Sequence, residues 1–243
     1  MYAHIRLSRL IAVVLGILVL LLAIAVGIQM EHIPVVSPIE PTYKNIRKVI
    51  IDPGHGGEDG GAQVGKYVEK SINLSISLKL RDELTARGYQ AILTRETDVS
   101  IYDPGTTTLR RKKTSDLYNR LDIIKANPDA MFVSIHLNKF SSSSERGAQV
   151  FYGRLNPQSQ LLAQTMQTAL KQNVSYSNKR KIQKGGRNLF LLYNAKIPAI
   201  LVECGFMSNP GEMSNLNNAA YQGLLARTIA NGIDEYNALN NPD

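Results

Sequence analysis

The chain has a single cysteine, Cys204, which excludes an intrachain disulfide and a four-thiolate zinc site. Any metal held here must therefore use histidine and carboxylate. Histidine is also scarce: beyond the N-terminal hydrophobic run there are His32, His55 and His136. There is no internal repeat, and no low-complexity tract beyond the four serines at 141–144. At 243 residues and 44% hydrophobic content the chain can bury one full-sized core, with too little left for a second domain of ordinary size. Acids are outnumbered, 20 against 28 Lys and Arg, giving a formal charge of +8. That balance fits an acidic partner (cell-wall polymer, anionic lipid or nucleic acid) without choosing among them.

The N-terminus carries the clearest signal. Arg6 and Arg9 precede LIAVVLGILVLLLAIAVGI at 10–28, an uncharged run of nineteen. This is close to the ~20 residues with which a helix crosses a bilayer. Ala23-Ile24-Ala25 has the small-x-small pattern of a cleavage site, but the run exceeds the ~7–15 residues usual for a cleaved signal, and its length favours an uncleaved anchor. A buried core helix is a poor reading of a run with no polar face and so weak an amphipathic pattern. By the positive-inside rule the chain after Gln29 lies outside, tethered or secreted, away from nucleic acid. The stretch 29–45, with Pro34, Pro38 and Pro41, reads as a tether. The expected organisation is an anchor at 1–28, a tether at 29–45 and one catalytic domain at 46–243.

From residue 46 the pattern alternates strand and helix. KVIID (48–52) is a short apolar strand. Ile72, Ile76, Leu80 and Leu84 recur every four residues in a helix over 71–88, with Gly88 as its stop. YQAILTR (89–95), AMFVSIH (130–136), GAQVFY (147–152) and PAILVECGF (198–206) read as strands, and 116–126, with Leu117, Leu121 and Ile124 on one face, 157–173 and 219–238 as helices. The charged segment 97–116 reads as flexible. Such alternation predicts an α/β three-layer sandwich: a twisted, mostly parallel central sheet flanked by helices. In sheets of this kind chemistry gathers at the carboxyl ends of strands.

That rule picks out His55 and His136, each at or just past a strand end. His55 sits in VIIDPGHGGEDGGA (49–62), a loop with five glycines. A phosphate-cradling loop is excluded by the missing lysine-serine/threonine ending. A metal loop fits better, since two His and one Glu with an open position form a catalytic zinc site. Glu69, opening the following helix, is the candidate third ligand, and an acid there also suits the helix dipole. Asp52, Glu58 and Asp59 are alternatives, read as loop hydrogen-bonding or solvated groups. Glu203 lies in an otherwise apolar strand, where a carboxylate is costly unless paired or functional, and is the candidate general base. Cys204 beside it reads as a small hydrophobe rather than a nucleophile.

Four motifs in order, IDPGHGG, Glu69 at a helix head, FVSIHLN and PAILVECGFMSN, resemble the zinc-dependent N-acetylmuramoyl-L-alanine amidases of the amidase-3 family over residues 47 to 238. The compact build is most similar to germination-specific members from spore-forming bacteria. What the resemblance implies is one Zn2+ on His55, Glu69 and His136, with Glu203 as catalytic acid/base. It also implies peptidoglycan as substrate, cut between the lactyl group of muramic acid and L-alanine. In spore cortex this prepares muramic-δ-lactam formation. Asn138 and Arg187 are taken as substrate-binding candidates. The chain has no room for the wall-binding domains of some relatives, and 138–147 is too short for a helix that plugs the site. An exported accessory or regulatory protein is therefore expected, with membrane attachment through the N-terminal segment. A zinc peptidase acting on stem peptides, or a non-catalytic wall-binding module, are the other classes, and the second would be favoured by loss of a ligand or of Glu203.

Overall fold

The computed structural model describes residues 13–22, 24 and 45–240. The chain forms two units, Met1–Thr42 and Tyr43–Asp243. In the first, residues 13–22 are helical (α1) with exposed side chains. The rest of the hydrophobic run, and the tether up to residue 44, lie outside the described residues. Among the described residues no helix is long and apolar enough to cross a membrane.

The second unit runs β1 (Lys48–Pro53), β2 (Gln63–Val64), β3 (Tyr67–Val68), α2 (Glu69–Ala86), β4 (Gln90–Leu93), α3 (Leu109–Lys125), β5 (Ala130–Asn138), β6 (Gln149–Tyr152), α4 (Gln158–Asn173), β7 (Gln183–Lys184), α5 (Phe190–Asn194), β8 (Ala199–Phe206), α6 (Pro210–Leu216) and α7 (Ala219–Leu239). Six strands form one sheet in the order β4-β1-β5-β8-β6-β7. The first four are mutually parallel, and β6 runs antiparallel to β8 while pairing parallel with β7. The α/β sandwich expected from the sequence is thus what forms.

Strand side chains alternate between faces. Val49 and Ile51 of β1, Met131, Val133 and Ile135 of β5, and Ile200 and Val202 of β8 face a large core with residues of α2, α4 and α7. Ile50, Phe132 and Leu201 face a smaller core with Leu121 and Ile124 of α3 and Leu191 and Leu192 of α5. Followed towards the strand ends, this second face changes character: Ile50 gives way to Asp52, Phe132 to Ser134 and His136, Leu201 to Glu203. Alternation therefore turns the polar residues into the thinner layer, at the carboxyl ends of three neighbouring strands.

Helix α2 buries Ile72, Ile76, Leu80 and Leu84 and ends where expected. Gly88 has φ 79°, its N–H bonds the Thr85 carbonyl (3.0 Å), and the Tyr89 N–H bonds that of Leu84 (3.0 Å), a Schellman closure.

Two expectations need correction. Helix α3 begins at Leu109, not 116, so the C-terminal part of the segment read as flexible, from residue 109 on, is ordered helix, with the Thr108 hydroxyl accepting from the Arg111 N–H. Its inward face also differs: Leu117 is partly exposed, while Asp116 and Arg120 are buried beside Leu121 and Ile124. The charges hid the helix because their partners lie far off in sequence, Asp52 on β1 and Glu58 and Asp59 in the loop after it.

Candidate active site

The sheet delivers the chain through Pro53 into the glycine-rich loop. His55, with φ 64°, is the one non-glycine residue at positive φ among the described residues, a conformation that persists only where surroundings enforce it. Two buried arginines supply that force. Arg120 donates to the carbonyls of Pro53 (3.0 Å) and His55 (2.9 Å), and Arg95 to those of Pro53 (3.0 Å) and Gly54 (3.1 Å). Three successive loop carbonyls are thus held from two sides. The Arg120 charge is matched by Asp52 (2.6 Å) and Asp116 (2.7 Å). Sequence reasoning gave neither arginine a role. The available signal was Arg120 itself, four residues after Asp116 and next to Leu121, on a helix face that otherwise goes inward.

Around this loop the structure brings together His55, Glu69 and His136, each offering one ligand atom, all within 4.8 Å of one another. Glu69 Oε2 lies 3.4 Å from His55 Nε2, and Oε1 lies 3.1 Å from His136 Nδ1. Backbone and side-chain donors fix the carboxylate: the Ala62 N–H on Oε2 (2.8 Å), and the Leu137 N–H (3.1 Å) and Asn73 Nδ2 (3.2 Å) on Oε1. Burial would raise the Glu69 pKa, but hydrogen bonds from the two histidines hold it well below the carboxylate range. Burial likewise works against a charged His55, yet hydrogen bonds to Asp59 and Glu69 raise it to about 9. The three side chains form one tripod of ligand atoms. With two imidazoles and one carboxylate as donors, it suits a divalent cation such as zinc. Gly54 is part of the construction, since a Cβ there would overlap the His136 ring.

Glu203 faces the same cavity, of about 300 Å³, whose wall includes His55, His136 and Asp59. It pairs in register with His136 across β5 and β8. Its Oε2 is buried without a hydrogen-bond partner. Burial pushes its pKa up to about 7; the charge of His136 opposes the rise and that of Glu69 adds to it. The far wall is apolar, formed by Leu117, Phe132 and residues 189–192 of α5 and its approach.

The other acids go elsewhere. Asp52 is held by Arg120, Ser134 and Thr94, Glu58 pairs with Lys112 at the surface, and Asp59 bonds the opposite nitrogen of His55. Cys204 packs in the large core, and burial pushes its thiol pKa up. Asn138 is half-buried at the end of β5, its carbonyl accepting from the Met207 N–H (2.8 Å), and it is not among the residues lining the cavity. Arg187 is exposed and does not line it either, although its neighbour Asn188 does.

Residues 49–235 match the family model described as N-acetylmuramoyl-L-alanine amidase. The germination-specific N-acetylmuramoyl-L-alanine amidase of Bacillus subtilis is 36% identical over 188 residues, covering 77% of this chain and 78% of that protein. The probable cell wall amidase LytH of Staphylococcus epidermidis is 28% identical over 78% of this chain, which spans only 58% of that relative. Among solved structures, the CwlD amidase from Clostridioides difficile, in complex with the GerS lipoprotein, superimposes with a TM-score of 0.77 at 40% identity, covering 79% of this chain and 99% of that one. With its family model spanning most of the chain, and His55, Glu69, His136 and Glu203 gathered at one sheet end, this protein belongs to the N-acetylmuramoyl-L-alanine amidases.

Proposed function

We propose that the chain hydrolyses the amide between the lactyl group of N-acetylmuramic acid and L-alanine in peptidoglycan, using one zinc ion held by His55, Glu69 and His136. The observation that carries this reading is the placement of Glu203, a carboxyl with a pKa near 7 and an unpartnered oxygen, on the cavity that His55 and His136 also line, with Glu69 in contact with both rings. Zinc in such a set supplies Lewis-acid polarisation of a carbonyl and makes water acidic near neutral pH. Glu203 Oε2 then accepts the attacking water's proton and returns it to the leaving nitrogen of alanine, a cycle that a carboxyl poised near pH 7 performs in both directions. Glu69, fixed by three N–H donors, keeps the two imidazoles aimed at a common point. Leu191 and Leu192 of α5 line the apolar part of the cavity that would receive the substrate.

Similarity to the germination-specific amidase supports spore cortex as the peptidoglycan acted on, and action outside the cytoplasmic membrane. The hydrophobic run at 10–28 supports tethering. The complex of the similar CwlD with a lipoprotein supports an exported accessory partner for this chain too. Incubating the zinc-loaded protein with purified cortex and with vegetative sacculi, followed by mass analysis, tests the reading. Free lactyl carboxylates together with intact stem peptides bearing an N-terminal alanine support it, whereas shortened stems mean a peptidase, and unchanged wall that retains the protein means a binding module.

A further inference from the structure

Asp59 lies in the glycine-rich loop, four residues past His55, with its carboxylate divided between two tasks. Oδ2 is 2.9 Å from His55 Nδ1. Oδ1 is 2.7 Å from Lys113 Nζ on α3 and accepts, at 3.3 Å, from the Gly61 N–H. The backbone between the two residues is closed on itself, the Gly56 N–H donating to the Asp59 carbonyl (2.9 Å) and the Asp59 N–H to that of Gly56 (3.0 Å). The Asp59 backbone is therefore fixed beside His55, and Lys113 and the Gly61 N–H hold its carboxylate. His55 meets Glu69 through its other nitrogen, Nε2. His136 meets Glu69 through Nδ1, so the two imidazoles present opposite nitrogens.

We propose that Asp59, clamped by Lys113, is a positioning residue for the metal site: it accepts the Nδ1 proton of His55 and so fixes the tautomer that leaves Nε2 free to bind. This rests on the zinc reading of the tripod. The chemistry follows from imidazole itself, which binds a cation only through the nitrogen that carries no proton. A ring free to choose tautomers would offer the wrong nitrogen for part of the time. A carboxylate on the far nitrogen also raises the basicity of the one that binds. Neighbouring Glu58 has no such contact. It pairs with Lys112 at the surface, which makes it an internal control in the same loop.

The test measures zinc affinity of the intact protein by competition with a chelator, alongside long-range 1H–15N spectra of the zinc-loaded histidines. Removing outer-shell partners of this kind typically costs about 10–100-fold in metal affinity. Asp59→Ala is expected to weaken zinc within that range and to remove the hydrogen-bonded Nδ1–H signal of His55. Asp59→Asn, which keeps the acceptor but not the charge, should fall between parent and alanine variant, covering the case in which Asp59→Ala does not fold. Glu58→Ala should match the parent in both readouts. Parental affinity and an unchanged His55 signal in folded Asp59→Ala or Asp59→Asn overturn the assignment while leaving the zinc reading intact. A parent that binds no zinc overturns both.

Discussion

Glu203 stands directly opposite His136 in the parallel register of β5 and β8, so a metal-ligand candidate and a proton-transfer candidate share one rung of the sheet. Backbone pairing, not loop geometry, sets their separation. A rigid element holds a pair of reacting groups more accurately than a loop does.

Glu203→Gln keeps the shape of the side chain but cannot cycle a proton. The variant is expected to fold, to bind one zinc per chain, and to lose turnover by about 10²–10⁴-fold, the usual scale of general acid/base contributions. Paired metal analysis and turnover on a muramoyl-L-alanyl substrate check this. Loss of zinc would make Glu203 a ligand instead.

Gly54→Ala places a methyl group where the His136 imidazole now lies. The ring must turn or shift, so zinc affinity should fall at least tenfold, the low end of the ~10–100-fold scale for disturbing ligand orientation. Secondary structure by circular dichroism should be unchanged. Parental affinity in chelator competition would show that the ring does not need its present seat.

Asp52 and Arg120 form a buried pair at 2.6 Å. Breaking such a pair by removing one partner typically costs about 3–5 kcal/mol, so Arg120→Met should lower stability on that scale and, through its lost bonds to Pro53 and His55, weaken metal binding. Burial alone would raise the Asp52 pKa, but the Arg120 charge and hydrogen bonds from Ser134 and Thr94 hold it below the ordinary 3.8. The sign follows from linkage. A carboxyl depressed in the folded state binds its proton more readily when unfolded, so its stabilisation is complete above about pH 4 and is lost as pH falls through the folded value. Denaturant melts of parent and Asp52→Asn should converge at low pH, and a constant gap would assign the stability to packing.

If residues 10–28 anchor the protein facing outward, protease added to intact spheroplasts should remove the domain from the membrane fraction. Complete protection would contradict that topology.

Much of this was legible in sequence. The alternating pattern and Gly88 placed the longer strands and α2, the strand-end rule selected His55 and His136, and the cost of a carboxylate in an apolar strand selected Glu203. What remained hidden was long-range pairing. Arg95 and Arg120 hold the glycine-rich loop through backbone carbonyls, which carry no side-chain signature. The N-terminal half of α3 looked like a charged loop because Lys112 and Lys113 pair with Glu58 and Asp59, more than fifty residues earlier. Short elements such as α5 and α6 are too brief for periodicity to reveal.

In the proposed reaction one zinc on His55, Glu69 and His136 cuts the lactyl–alanine amide. Titrating zinc into metal-free protein, while counting new N-terminal alanines released from cortex or sacculi, measures it most directly. The expected result is a rise that is linear in bound zinc and stops at one equivalent, with no rise in His136→Ala. Full alanine release without metal, or a zinc-dependent product with another N-terminal residue, would contradict it.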